Sequence, residues 1–572
     1  MTTTSSSPSG DSLAGEPIYL LAALIGGALV AAHVTWAAAA LACLLSGGGL
    51  PLASFSDAVP FTAHLLTSLD PGAAWQRVTG LGPLPAGLFW PLLVVLHAAA
   101  ATGTGWGLRR WRRHRAPHTH TSAAWADAAA EKQITVPEAA DQRAGRIVAG
   151  RSLSSGRLLA GADCISATVF GTNGSGKTLG LVVPTALDWH GPCVISTAKG
   201  PDLRWILKAR QRYGPVWIVA PEGLHDMPTA RWSPVTYATC EESAGRMARW
   251  QCEASGLLDD VRARSWALKA RALVGPVMLA AQLSGGGIAK FYRWCLDGQD
   301  VRRDVRAILL EHGFEQMADN YDSVWRLHPD GVGSILFTAS VIVDAYDNPR
   351  VRDSASASDF TAEDVLDQCG TVCIVAPPSQ AEPLAPMFTS LIASIIYAAE
   401  RRYEKNGPLN PRLLLNLDEA GNVFRYPGLP TLLTTARGMG IQLLTVWHDL
   451  GQLQTRYGQD QAGTILSQSK LRMLLPGCAD MKTLEYFSRM LGQAQVDRPS
   501  FSIGNDGRQT SSSNLQKDEL APIHALQQLQ AWNAVMQYDN LPPMRIRMRS
   551  VLDDPALVAL TPHISREQST PR

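Results

Sequence analysis

Eight consecutive residues, Gly171, Thr172, Asn173, Gly174, Ser175, Gly176, Lys177 and Thr178, match G-x-x-x-x-G-K-[ST] without a gap. Each residue type has a task in that pattern. The glycines let the backbone curl so that its N–H groups point inward, and with the N-terminus of a following helix they form a cradle for phosphates. Lys177 is expected to reach the β/γ-phosphates and the Thr178 hydroxyl to ligate Mg²⁺. A phosphate loop does not by itself establish hydrolysis, which also needs a carboxylate near the metal and a group to activate water. Far downstream, residues 413–419 read Leu-Leu-Leu-Asn-Leu-Asp-Glu, an apolar strand ending in two carboxylates. Asp418 is expected near Mg²⁺ and Glu419 is expected to polarise the attacking water. No Asn-Lys-x-Asp stretch of GTP-specific proteins occurs, so ATP is the expected nucleotide.

These residues need elements to position them. Residues 164–170, rich in β-branched types, precede the loop as a strand, and residues 179–187 follow it as a buried helix. Short apolar runs at 192–196, 216–220, 371–376, 412–417, 441–446 and 471–475, separated by helix-length segments, suit the parallel strands of an α/β sheet. Between residues 238 and 347 strand signals vanish, and helical-period segments such as 263–283 and 334–346 predict an inserted all-α domain. Residues 534–538 and 544–548 predict a hairpin across Leu-Pro-Pro. Residues 498–514, rich in Ser, Gly and Asn, read as a mobile loop, and 115–163 as a linker with one helix. Leu-Ser-Gly-Gly-Gly at 283–287 resembles the start of an ABC-transporter signature, but it lies far upstream of Asp418 and reads better as a turn between helices.

The chain of 572 residues is nearly neutral, with a formal net charge of +1 and 46% hydrophobic residues, which argues for folded protein over disorder. Apolar residues concentrate at 18–45 and 84–108, each longer than the ~20 residues that cross a bilayer as a helix. Arg109, Arg110, Arg112, Arg113 and Arg115 follow the second run, whereas Arg77 is the lone Lys or Arg between the runs. Positive-inside counting therefore predicts a multi-pass anchor in the inner or plasma membrane, with the N-terminus and everything from residue 109 onward in the cytoplasm. The Ser/Thr-rich start lacks the basic region of a cleavable signal peptide, so the first span is expected to be retained. Nine scattered cysteines, none in a C-x-x-C pair, read as reduced thiols rather than a zinc site.

Several motifs in order resemble the TraG/TraD family of coupling proteins of conjugation and type IV secretion. They are the two apolar runs, the phosphate loop followed by Val-Val-Pro-Thr, Thr-Ala-Lys-Gly-Pro-Asp at 197–202, and the helical insertion. Further along come Asp-Glu-Ala-Gly-Asn at 418–422, Ala-Arg-Gly-Met-Gly at 436–440, Arg-Tyr-Gly at 456–458 and Ser-Arg-Met-Leu-Gly at 488–492. The resemblance implies a RecA-like P-loop nucleotide-binding domain interrupted by an all-α domain and preceded by two transmembrane helices. It also implies a homo-hexamer with ATP at subunit interfaces, acting on DNA, expected as single-stranded, together with relaxosome or secreted substrate proteins and type IV secretion channel components. Arg437 matches the family's arginine-finger position, and His448 stands where related proteins usually carry a sensor glutamine. Histidine can still donate a hydrogen bond there, with a pH dependence glutamine lacks.

The expected organisation is a disordered start at 1–17, an anchor at 18–108, a juxtamembrane linker at 109–160, a first nucleotide-binding part at 161–237, the all-α domain at 238–347, a second nucleotide-binding part at 348–555 and a tail at 556–572. Other readings open at this level are a protein-only exporter, an FtsK-like double-strand DNA pump, and a membrane scaffold with a weakened ATPase.

Overall fold

A computed structural model of the chain divides into two units, Met1–His120 and Thr121–Arg572. It describes residues 16–47, 55–82, 84–115, 122–143, 145–257, 263–377, 379–503 and 509–561. Most of the expected N-terminal segment 1–17 and of the tail 556–572 lies outside the described residues. The first described part of that tail lies in a short helix, Pro555–Leu560, opened by the Asp554 carboxylate.

In the first unit the two apolar runs form helices Glu16–Leu45 and Ala86–Arg115. Their stretches Gly26–Leu45 and Ala86–Thr104 are long and apolar enough to cross a membrane. The segment between them holds two short helices, Ala58–Ser68 and Pro71–Thr79. The second begins at Asp70, whose carboxylate accepts from the backbone N–H groups of Gly72 and Ala73 at 2.9 and 3.2 Å. An aromatic cluster ties these helices together: Trp36 meets Trp75 at 4.9 Å between ring centroids, and Phe61 meets Trp75 and Phe89 edge-on at 5.7 and 6.1 Å. A third helix, Ala381–Asn406, also satisfies the length and composition criterion, yet 83% of its apolar window is buried inside the second unit. It is a core helix.

The second unit is organised by one sheet of eleven strands. In chain order these are β1 Val148–Ser152, β2 Leu158–Ala160, β3 Ala167–Phe170, β4 Cys193–Thr197, β5 Val216–Val219, β6 Thr371–Val375, β7 Leu413–Leu417, β8 Ile441–Trp447 and β9 Leu471–Leu474. A separate ribbon, β10 Gln493–Ile503 with β11 Gln509–Glu519, follows, and then the last two strands of the sheet, β12 Asn533–Tyr538 and β13 Met544–Arg547. The spatial order is β2-β1-β13-β12-β9-β3-β8-β7-β4-β6-β5. From β9 to β5 every pairing is parallel. β3, β4, β6, β7 and β8 are buried along their whole length, as strands covered by helices on both faces must be. β12, β13, β1 and β2 extend this core as an antiparallel wing.

Between β5 and β6 the described residues carry helices and no strand longer than an isolated bridge. Within this insertion the Gly-rich stretch joins helices Arg264–Leu283 and Gly287–Asp297, with Gly285 and Gly287 in the left-handed region at φ 68° and 54°. Arg302 and Arg306, on one helix of the insertion, donate to the Asp322 carboxylate at 2.9 and 2.7 Å.

Two expectations are corrected. Residues 109–160, read as a juxtamembrane linker, contain β1 and β2. Their apolar pattern is broken by Gly150, whose backbone approaches so closely that a Cβ there would lie 2.4 Å from the carbonyl oxygen of Arg547. Residues 498–514, read as a mobile loop, fall mostly within β10 and β11, paired in register from Gln493↔Glu519 to Ile503↔Gln509; residues 504–508 lie outside the described residues. A two-stranded ribbon needs no buried face, so it leaves no apolar alternation for a sequence reading to find.

Candidate nucleotide site

Three neighbouring strands, β3, β8 and β7, end at the same edge of the sheet. The phosphate loop follows β3, His448 follows β8, and Asp418 and Glu419 follow β7. Ligands of open α/β sheets bind at this carboxyl edge. Gly174 and Gly176 have φ of 82° and 83°, and a Cβ at Gly174 would meet open space, so the loop presents its backbone outward as an anion cradle requires. The helix that follows opens with a π-helical stretch, Thr178–Val182, before Val183–Asp188. Gly171 N–H donates to the Trp447 carbonyl at 2.9 Å and Thr172 Oγ1 to the Gly477 carbonyl at 3.0 Å. The start of the loop is thereby fixed to the end of β8 and to the turn that follows β9.

Across this edge the Thr178 hydroxyl donates to Asp418 Oδ2 at 2.7 Å. Lys177 Nζ lies 3.6 Å from Glu419 Oε1 and 3.5 Å from His448 Nδ1. Ser196 Oγ donates to the Asp418 carbonyl at 2.7 Å, and Asn416 Nδ2 to the Val182 carbonyl at 2.8 Å, locking β7 to β4 and to the loop's helix. Glu419 has φ 52° and ψ 47°, a left-handed conformation that costs a non-glycine residue energy and turns its side chain out of the strand. The loop after it is held from behind. Arg456 donates to the Gly421 carbonyl and the Tyr457 hydroxyl to the Tyr426 carbonyl, which gives the Arg-Tyr-Gly motif a structural role.

The electrostatics fit a cation and a phosphate. Burial pushes the Asp418 carboxyl above its usual value, against the opposing pull of the Thr178 hydrogen bond and the Lys177 charge. Its Oδ1 is buried with no hydrogen-bond partner in the protein, and so is Ser175 Oγ. A buried carboxylate with one idle oxygen beside a threonine hydroxyl is a donor set for a hard divalent ion. Burial first, and then the Lys177 ammonium, hold the His448 imidazole below its usual value. It is therefore neutral near pH 7, and an Nδ1 that accepts from Lys177 leaves the proton on Nε2. The expectation of a pH-dependent sensor is thus displaced to more acidic pH than an ordinary histidine would give.

The structure brings Gly171, Thr172, Asn173, Gly174, Ser175, Gly176, Lys177, Thr178, Asp418, Glu419 and His448 together. Arg437 stands apart. It is exposed in the last turn of helix Leu429–Met439, just before β8, and its charge is felt by the Cys164 thiol just before β3. That is the edge of the sheet opposite the phosphate loop.

Three further contributors, Gln452, Trp532 and Leu552, were not singled out from sequence. Gln452 Oε1 accepts from the His448 N–H at 3.0 Å, supporting the sensor from one turn into the next helix. Thr197, Trp532 and Leu552 line the cleft with the phosphate loop, in a cavity of about 270 Å³. Lys199 and Asp202, explicable as turn residues, line it too, and burial raises the Asp202 carboxyl. Trp532 and Leu552 come from the wing at the end of the chain, and no local motif marks them.

Residues 123–565 match the family described as Type IV secretory system Conjugative DNA transfer. A conjugal transfer protein TraG of Escherichia coli is 26% identical over 379 residues, covering 59% of this chain and 56% of that protein. The match thus spans little more than half the length of that relative. The unbound monoclinic form of the bacterial conjugative coupling protein TrwBdeltaN70 superposes with a TM-score of 0.57 at 18% identity, covering 75% of this chain and 92% of that one. The plasmid coupling protein TrwB in complex with ADP and Mg²⁺ gives a TM-score of 0.56 at 18% identity, with 76% and 96% covered. The fold is therefore the RecA-like P-loop domain with an inserted all-α domain. With the family match running through both parts of the nucleotide domain and the insertion between them, this chain belongs to the type IV secretory system conjugative DNA transfer family.

Proposed function

We propose that this protein is a membrane-anchored ATPase that couples a DNA or nucleoprotein substrate to a type IV secretion channel. The observation that carries the reading is the junction of Thr178 with Asp418 at 2.7 Å, beside Lys177 and Glu419 at 3.6 Å. Separate strands bring these groups together, and they are the groups phosphoryl transfer needs. ATP would lie in the loop with its terminal phosphate toward Lys177 and Glu419. Mg²⁺, held by Thr178 and the idle oxygen of Asp418, would neutralise charge on the phosphates. Glu419 would accept a proton from the attacking water, and His448 Nε2–H would donate to the terminal phosphate or to that water. The TrwB complex with ADP and Mg²⁺ supports this choice of ligands. Arg437, remote from its own loop, would serve the site of a neighbour in a hexamer. The two apolar helices of the first unit would anchor the protein in the inner or plasma membrane, with both termini cytoplasmic. Relaxosome or secreted proteins and channel components would be its partners.

The test is ATP hydrolysis by the full chain in detergent, with and without single- or double-stranded DNA. We expect DNA-stimulated turnover, lost in Lys177→Ala together with ATP binding. Glu419→Gln should keep binding while turnover falls about 10²–10⁴-fold, the range for removing a general base. Absence of turnover under every DNA condition would leave the weakened-ATPase scaffold standing instead. Stimulation by a protein cargo and never by DNA would favour the exporter.

A further inference from the structure

The nucleotide cleft is lined by two chemically different sets of side chains: Lys177, Thr178, Lys199, Asp202, Asp418 and Glu419 are charged or hydroxylic, and Leu179, Trp532 and Leu552 are apolar. The terminal phosphate belongs beside Glu419, the group that activates water. The nucleoside must then leave the loop away from Glu419, and the apolar set, beside Gly176 and Leu179, offers it a surface.

The indole is held there by the antiparallel wing. Trp532 stands just before β12 with φ of 67°, a conformation bulky side chains rarely adopt. Its carbonyl accepts from the Met548 N–H at 2.7 Å, which fixes that backbone against the residue after β13. Val551 N–H donates to the Leu179 carbonyl at 3.3 Å, so the chain carrying Leu552 is bonded directly to the residue after the phosphate loop. The loop in turn leaves space for the ring. A Cβ at Gly176 or Gly180 would stand 3.2 or 3.1 Å from Trp532 Cζ3. Both Trp532 and Leu552 are only half-buried, so they retain surface for a ligand.

We propose that Trp532, with Leu552 beside it, is the platform on which the base of the bound nucleoside triphosphate rests. The proposal rests on the reading that the phosphate loop binds such a nucleotide. Every base has an apolar π-face, so stacking on an indole is tolerant of base identity. Leu179 and Leu552 carry no side-chain hydrogen-bonding group, and Trp532 carries a single donor. Such a platform recognises a base by its face and does not separate adenine from guanine by their edges.

The experiment is calorimetric titration of the full chain in detergent with ATP, GTP and inorganic tripolyphosphate, all with Mg²⁺. Trp532→Ala should weaken ATP and GTP binding on the order of tenfold, the scale of one lost base–aromatic stack, and leave tripolyphosphate affinity unchanged. Trp532→Phe should recover most of the loss. Equal weakening of ATP and tripolyphosphate would mean that the ring only props up the loop, and it would overturn the proposal. So would an unchanged ATP affinity. Should Trp532→Ala misfold, Leu552→Ala must give the same split between nucleotide and tripolyphosphate or the proposal falls. If the parent chain binds neither ATP nor tripolyphosphate, the underlying nucleotide reading fails; a parent that binds both while the variants show no split fails the platform alone.

Discussion

His448 is the residue at which local chemistry departs most from expectation. A histidine in place of an amide suggests a pH-sensitive group, but burial and the Lys177 ammonium lower its pKa from the ordinary 6.5 and favour the neutral ring. Its folded pKa lies below its unfolded one. The stability it contributes is therefore fully present above pH 6.5 and is lost as pH falls through the folded value. Glutamine cannot titrate. His448→Gln should follow the parent's melting temperature at neutral and alkaline pH and lose less of it below pH 6.5, in thermal melts across a pH series. Parallel curves through the acid range would show that the imidazole is not held by these neighbours.

At the scale of elements, the phosphate-loop helix is fastened at its far end. Helix Val183–Asp188 ends in a carboxylate, which opposes the helix dipole at that terminus. Two arginines from distant segments offset this. Arg143 donates to Asp188 Oδ1 at 2.9 Å, and Arg549, which also pairs with Asp554 at 3.0 Å, donates to Oδ2. All are nearly inaccessible to solvent. Burial lowers the Arg143 guanidinium from its usual value, while at Arg549 the neighbouring carboxylates Asp188 and Asp554 outweigh burial and raise it. Removing one partner of a buried ion pair typically costs about 3–5 kcal/mol, because the remaining charge is left uncompensated. Asp188→Ala leaves the Arg143 guanidinium without its carboxylate and Arg549 with Asp554 alone, and should destabilise the nucleotide unit by about that amount, read as a lower melting temperature. The same clamp joins the wing to the loop's helix, so the wing is part of the site's support and not an appendage.

For the whole molecule the decisive fact is the position of Arg437, on the edge of the sheet away from its own phosphate loop. In the proposed hexamer a finger there would act across a subunit boundary, in a ring of heterologous contacts. Arg437→Ala and Lys177→Ala should each abolish turnover alone. Mixed in equal amounts before assembly, they should regain about a quarter of parental turnover, since a Lys177→Ala subunit can lend its arginine to the intact loop of an Arg437→Ala neighbour. No recovery in assemblies confirmed to be mixed, by measured ATPase rate, would place Arg437 outside the reaction.

The sequence by itself determined whatever is contiguous. The phosphate loop, the strand ending in Asp418 and Glu419, the two apolar helices and the helical insertion each carry their signal within a short window, because a loop conformation, a buried strand or a bilayer-length helix is dictated locally. The tertiary structure decided what depends on strand order. Placing β8 between β3 and β7 is what sets His448 beside both Lys177 and Glu419. Folding the C-terminal wing onto the sheet is what brings Trp532 and Leu552 to a loop more than half the chain earlier. Pairing between strands distant in sequence is fixed by the packing of the whole sheet, and no local window of residues contains it.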